Sequence, residues 1–225
     1  MTIKEHVDVQ QVLTKIFEAE RTLRQQSRKL LQAPHGAVLG QLQTAFSQAS
    51  QLKDEQEAEL RLVCLTRLLR TVPGPGAIDL LIDILGHDNE EARQGAGFVL
   101  EDIASERLGE VRKGIERALK RLPVGSLALC ELPFVILGLD GDVIRMLRPF
   151  LSHQDPEAVA AAIDAYVEYA DPDAITLLEP LTQDNRRVQV NIESTDEEES
   201  VTIADLAADA IDALQEVASI MASEP

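Results

Sequence analysis

Few side chains in this chain are of a type that does chemistry. Four histidines (His6, His35, His87 and His153) and two cysteines (Cys64 and Cys130) are the nitrogen and sulfur side chains best suited to hold a transition metal, the cysteines also being candidate nucleophiles. Only His87 and His153 occupy equivalent surroundings, each two residues after a leucine that closes an apolar run. As ligands they would be separated by two repeat spacings, too far to share a metal ion. They read as polar groups of turns. Cys64 and Cys130 lie inside apolar helical stretches and read as core thiols, with the spacing of neither a metal cluster nor a disulfide framework. The chain has no phosphate loop ending in Gly-Lys-Ser/Thr, no Cys-x-x-Cys pair, no His-Glu-x-x-His helix and no Gly-x-Ser-x-Gly elbow. The expectation is a protein that is not an enzyme and has no metal and no cofactor.

The acidic side chains are more informative. Asp205, Asp209, Asp212 and Glu216 follow one another at spacings of four, three and four, which places them along one side of a helix. Like charges so spaced cost a helix a little stability. With them, Glu91, Gln94, Phe98, Glu101, Glu131, Asp164 and Glu168 fall at the non-core positions of helical segments. Two readings stay open for this set: a plain solvated face, or a surface that meets a basic partner, with Phe98 as an apolar anchor. The formal net charge is −18 and the pI about 4.5. Such a surface repels nucleic-acid phosphates and anionic lipid headgroups, so neither nucleic acid nor membrane is expected as a partner. The one basic run, Arg107, Arg112, Lys113, Arg117, Lys120 and Arg121, reads as a solvated helix face.

The elements that carry these residues are helical. Apolar residues make up 45% of the 225-residue chain, charged residues 27% and aromatics only 3%, the balance of a globular chain whose core is Leu, Ala, Ile and Val. Two segments align without a gap at an offset of 66: Ile78 with Ile144, Leu81 with Leu147, Leu85 with Leu151 and His87 with His153. Twice 33 implies a unit between them, and Val111 to Leu122 with Ser126 to Leu139 supplies one. A further match at an offset of 31 pairs Pro180 with Pro149. A proline inside a helix removes one hydrogen bond and crowds a carbonyl, which predicts a bent first helix in both units. Asp155 is placed as an N-cap with Pro156 at the first helical position, and Asp171-Pro172 repeats the device. Small residues, Gly95 and Ala96 in one unit and Ala161 and Ala162 in the other, allow helices to approach closely.

Upstream, Ala37 to Ala49 and Glu55 to Leu69 form another pair, separated from the next by Pro73-Gly74-Pro75-Gly76. The first helix, from about Glu5 to Gln32, carries an interrupted apolar stripe of Val9, Val12, Leu13, Ile16, Phe17, Leu23, Leu30 and Leu31. It reads as a cap over the open end of a stack, with a dimerisation helix as the other possibility. Near the other end, Arg187 to Ile192 alternates polar with apolar, an acidic stretch follows from Glu193 to Ser200, and Val201-Thr202-Ile203 comes next. This predicts a small hairpin before a last helix from about Ala204 to Ile220. The start of the chain has no apolar run of the kind that leads a secretory signal, and no stretch reaches ~18 uninterrupted apolar residues, so the expected compartment is the cytoplasm.

Helix-turn-helix units of about 30 residues, with Asp155-Pro156-Glu157 opening the second helix and an Ala-rich inner face, resemble the HEAT repeat, and most closely the short repeats of bacterial bilin-lyase-like proteins. Segments 76–104 and 142–170 carry the resemblance best; 108–140 and 173–218 match more loosely, and 37–71 most weakly. Arg93 matches the family's second-helix arginine, whereas the equivalent position in the next matched unit is Val159, so the usual Asp–Arg ladder is broken. The resemblance implies an all-α, right-handed solenoid of about five helix pairs in a single domain spanning 1–225. In it 1–33 is the capping helix and 187–203 an acidic hairpin inserted in the last pair. It also implies a general scaffold. The leading expectation is therefore an adaptor that grips a basic segment of a protein partner on an acidic concave face. A subunit of a bilin-lyase-like modifying complex and a structural part of a larger assembly are the alternatives.

Overall fold

The computed structural model describes residues 8–191 and 198–223 of the chain. Among these the structure is all-α with one small sheet. The helices are α1 (Val9–Leu31), α2 (His35–Ala49), α3 (Glu55–Leu69), α4 (Pro75–Leu85), α5 (Glu90–Arg121), α6 (Leu127–Leu137), α7 (Val143–Leu147), α8 (Pro156–Tyr169), α9 (Ile175–Leu178) and α10 (Ile203–Ser223). Strands β1 (Arg187–Asn191) and β2 (Glu198–Thr202) form an antiparallel hairpin in which Val188 pairs with Val201. The pairing extends further back into the acidic stretch than the apolar residues alone indicated. Most of that stretch, residues 192–197, lies outside the described residues, as does the predicted start of the first helix before Asp8.

Helix starts follow from local chemistry. Asp8, Asp54, Asn89, Asp142 and Asp155 each cap a helix by accepting a backbone N–H from its first turn. Pro75 and Pro156 sit where a missing N–H costs nothing. The prolines of the two matched first helices act as expected of them. At Pro149 the helix begun by α7 tightens into a 3-10 turn over Arg148–Ser152, and at Pro180 α9 does the same over Glu179–Gln183.

Packing runs along the chain. α2 lies on α3 and α4, α4 and α3 on α5, α5 on α6, α6 on α8, and α8 on α10. A single core of buried side chains extends from Val38 to Leu214. α5 is two helical segments that meet directly at a kink at the non-helical Arg107 (φ −135°, ψ 44°), so no loop separates the unit ending at 104 from the one beginning at 108. Beyond the bend, α5 packs so tightly on α4 that a Cβ at Gly114 would lie 2.3 Å from Ile78 Cγ2. The basic run is spent on this seam: Arg117 holds Asp79 and Arg121 holds Asp83, both at 2.7 Å. Arg107 and Arg112 pair with Glu110 and Glu116 of the same helix. The four arginines of the run are thus paired within the protein, and Lys113 and Lys120 are exposed to solvent.

α1 differs from the rest. None of its residues is buried, and Val9, Ile16 and Phe17 are 66%, 54% and 59% exposed. Only its C-terminal half approaches the core, where Leu23 and Leu31 face Cys64, Leu68 and Val99 across a groove of about 600 Å³.

Candidate functional site

The two matched histidines hold turns. In both, Nδ1 accepts the backbone N–H two residues on, Asn89 from His87 and Asp155 from His153, each at 3.1 Å. With Nδ1 accepting, the proton is on Nε2, which in His153 donates to the Leu119 carbonyl at 3.1 Å. The cap residue then reaches back about 30 positions. Asn89 donates to Glu59, and the buried Asp155 accepts Gly125 N–H at 2.7 Å. An arginine closes each turn. Arg93 donates to the His87 and Asp88 carbonyls. For the second turn the donor is Arg186, which lies beyond the unit, just before β1. It bonds the His153 and Gln154 carbonyls and is held by Asp184 at 2.6 Å. The missing arginine at Val159 is thus replaced from elsewhere in the chain, a substitution that a search at fixed repeat positions does not find. Asp184 is held below its ordinary pKa by this hydrogen bond to Arg186.

The expected partner-binding residues lie on α5, α6, α8 and α10, helices that touch in that order. On α5, Glu91, Gln94 and Phe98 are exposed, Phe98 to 69%, on the side opposite the buried Ala92, Ala96 and Leu100. Glu91 and Gln94 border an open groove of about 620 Å³ that also carries Glu55, Glu59 and Glu90. Glu101 and Glu131 lie at two separate points of the seam between α5 and α6. A Cβ at Gly138 of α6's C-cap would lie 2.8 Å from the Glu101 carboxyl carbon, and Glu131 is ion-paired to Arg93 at 2.9 Å. Asp164 and Glu168 are exposed on α8, and Asp209, Asp212 and Glu216 on α10. Asp205 belongs to a different structure. Its carboxylate accepts both the backbone N–H and the hydroxyl of Thr202, whose Oγ1 in turn accepts Asp205 N–H, a capping box that lowers the Asp205 pKa.

Burial raises the carboxyl pKa of both Glu101 and Asp164, with no cation offsetting it. Asp164 is open to water by area yet closely surrounded by protein, the position of a group on a recessed wall. The helices around it are one-signed: α6, α8 and α10 contain no lysine or arginine. Several exposed apolar residues escaped the sequence reading, among them Leu60 on α3, Phe134 on α6 and Val167 on α8. The signal was present as apolar residues out of phase with the core stripe. In helices this rich in apolar residues, phase alone did not separate them.

Cys64 and Cys130 are partly exposed, not core thiols. Each lies on a helix flank beside a seam. The Cys130 thiol is pushed up to about 11 by burial and then by Asp155, Glu157 and Glu131, so it stays protonated and a poor nucleophile at neutral pH. Among the described residues no cluster of three or more His, Cys, Asp or Glu is arranged to hold a metal ion, and no helix is long and apolar enough to cross a membrane.

No family model and no curated protein matches the chain. Among solved structures, the chain is similar to an engineered protein crystallised by the Northeast Structural Genomics Consortium. That match has 16% identity, covers 85% of this chain and 89% of that one, and has a TM-score of 0.32.

Proposed function

We propose that the protein is a non-catalytic adaptor, a right-handed HEAT-like solenoid that holds a basic segment of a protein partner on its acidic second helices. The pairs in this reading are α2 with α3, α4 with the first part of α5, the second part of α5 with α6, α7 with α8, and α9 with α10. The order in which the helices touch supports it. The stacked arrangement predicts a radius of gyration in solution well above the ~17 Å of a compact chain of this length. A small-angle scattering value at that compact limit would remove the stack from consideration.

The observation that carries the binding reading is the pair of Glu101 and Asp164. Burial raises both carboxyl pKa values with no cation offsetting it. Asp164 stands on α8, which like its neighbours α6 and α10 has no lysine or arginine, and Glu101 stands on α5, whose Arg93 is already taken by Glu131. A lysine or arginine brought there from outside recovers the Coulomb energy that no internal group supplies, while exposed Phe98 and Phe134 offer apolar contact. The test is fluorescence anisotropy with a labelled Lys/Arg-rich peptide carrying one leucine. Binding is expected to weaken steeply with salt, and to weaken on Phe98→Ala and on Asp164→Asn combined with Glu168→Gln. Affinity unchanged by these substitutions excludes the surface as the binding site.

A further inference from the structure

The two ends of the chain are chemically opposite. α1 carries Lys15, Arg21, Arg24, Arg28 and Lys29 against Glu18 and Glu20, an excess of cations in a protein of net charge −18. α10 carries Asp205, Asp209, Asp212 and Glu216 and no cation. Each also presents apolar side chains to water: Val9, Ile16 and Phe17 on α1, and Ile220 and Met221, 62% and 63% exposed, on α10.

We infer that the exposed face of α1 docks on α10 of a second copy of this chain, joining copies head to tail. This rests on the acidic-surface reading for α10 alone and names that surface's basic partner. The order of the patches fixes the direction. Along α1 the apolar stretch 9–17 precedes the cationic stretch 21–29, whereas along α10 the acidic stretch 205–216 precedes the apolar pair 220–221. Antiparallel docking therefore sets cations on acids and apolar side chains on apolar side chains at once. The spacings are of the same order: with Asp205 taken by Thr202, at 1.5 Å rise per residue the patch centres lie ~18 Å apart on α1 and ~12 Å apart on α10. A parallel pair of α1 helices from two copies would instead set Arg21, Arg24, Arg28 and Lys29 against themselves. Within α1 only Arg24 has an ion-pair partner among the described residues, Glu20 one turn away, a pair whose side chains are exposed and which a stronger partner can displace. Because α1 and α10 are different surfaces, the contact is heterologous and leaves one free end of each kind in every dimer, so the copies extend into chains or close into rings.

The test uses two variants of the full chain in sedimentation velocity. One carries Ile16→Asp with Phe17→Asp, on a helix that buries no residue. The other carries Asp209→Lys, Asp212→Lys and Glu216→Lys, with an Asn/Asn/Gln version as a milder copy. All substituted side chains are exposed, and unchanged thermal midpoints verify the folds. The unaltered protein is expected to associate with concentration and to dissociate as salt rises. Each variant alone is expected to be monomeric, its self-association weakened by about tenfold or more. A one-to-one mixture of the two is expected to form a dimer that stops there, since one intact α1 and one intact α10 remain. Self-association of the α10 variant equal to that of the unaltered protein overturns the head-to-tail contact in favour of α1 pairing with α1. A monomeric unaltered protein overturns it outright. If that monomer still binds the basic peptide in a manner sensitive to the α10 substitutions, the acidic-surface reading survives; if it does not, that reading fails at α10 as well.

Discussion

The turns at His87 and His153 are built on one plan and locked in two ways. Both use Nδ1 of the histidine to receive the backbone N–H two residues on, and both open a helix with a capping side chain that also reaches the preceding layer. In the first, the cap is a partly exposed Asn89 and the lock, Arg93, sits one turn into the same helix. In the second, the cap is the buried Asp155 and the lock, Arg186, arrives from beyond the next helix. The backbone requirement is the same in both: the carbonyls after each histidine need a donor. Which helix supplies it is free, provided a planar guanidinium reaches two carbonyls at once. The second turn is therefore tied to the hairpin, and the first is not.

That difference orders the stability effects. Asp155→Ala is expected to cost the most, about 2–3 kcal/mol, because it removes a buried N-cap carboxylate and with it the acceptor of the part-buried Gly125 N–H. Asn89→Ala loses a cap at a wetter position and is expected to cost about 1 kcal/mol. At roughly 2–4 °C per kcal/mol for a chain of this size, the two melting midpoints should differ by several degrees. Equal losses would mean that the two turns are equivalent despite their different burial.

Arg186→Met and Arg93→Met sharpen the comparison. Each removes charged donors to two carbonyls, with an expected loss of about 1–2 kcal/mol. Their local signatures should separate. Hydrogen exchange is expected to rise in β1 and β2 for Arg186→Met, because the hairpin is anchored through that residue. In Arg93→Met it is expected to rise at the α5–α6 seam, where Glu131 loses its cation. Tyr166→Phe is smaller, about 1 kcal/mol, since the Tyr166 hydroxyl donates to the Ile144 carbonyl within a fully buried side chain. Leu100 stands at the equivalent place in the first unit and carries no polar atom.

Much of this was legible in the sequence. The end of α2, both boundaries of α3, a break in helix geometry at Pro149 and Pro180, the cap at Asp155 and the hairpin all follow from residues within a few positions of one another. What escaped was carried by long-range geometry. Arg186 reaches His153 from 33 positions away, and at the expected boundary between 104 and 108 the chain has no loop but only a kink at Arg107, two residues before Gly109. The exposure of α1 depends on what does not pack on it. The candidate surface divides the same way. The exposure of Asp209, Asp212 and Glu216 followed from their spacing. The capture of Asp205 by Thr202 is local, but it depends on a residue that precedes the helix and not on the spacing along it.

The smallest expected effect tests the function most directly, because it runs against the usual sign. Asp184 and Asp164 differ in what surrounds their carboxylates. Asp184 has a guanidinium, so its folded pKa is lowered. Its contribution to stability is present above the ordinary aspartate value, near 4, and fades as pH falls through the folded pKa. Asp184→Asn should therefore destabilise at neutral pH. Asp164 is raised by burial with no cation. A raised acid favours the fold only below its unfolded pKa and loses that contribution as pH climbs through the folded one, so at neutral pH its charge is a net cost. Asp164→Asn should then raise the melting midpoint slightly at pH 7, and the gain should vanish below about pH 4. The same substitution should weaken the basic peptide. A group that costs the fold stability while strengthening binding is explained by the partner it waits for. If Asp164→Asn leaves peptide affinity untouched, its desolvation is only a by-product of packing on α8.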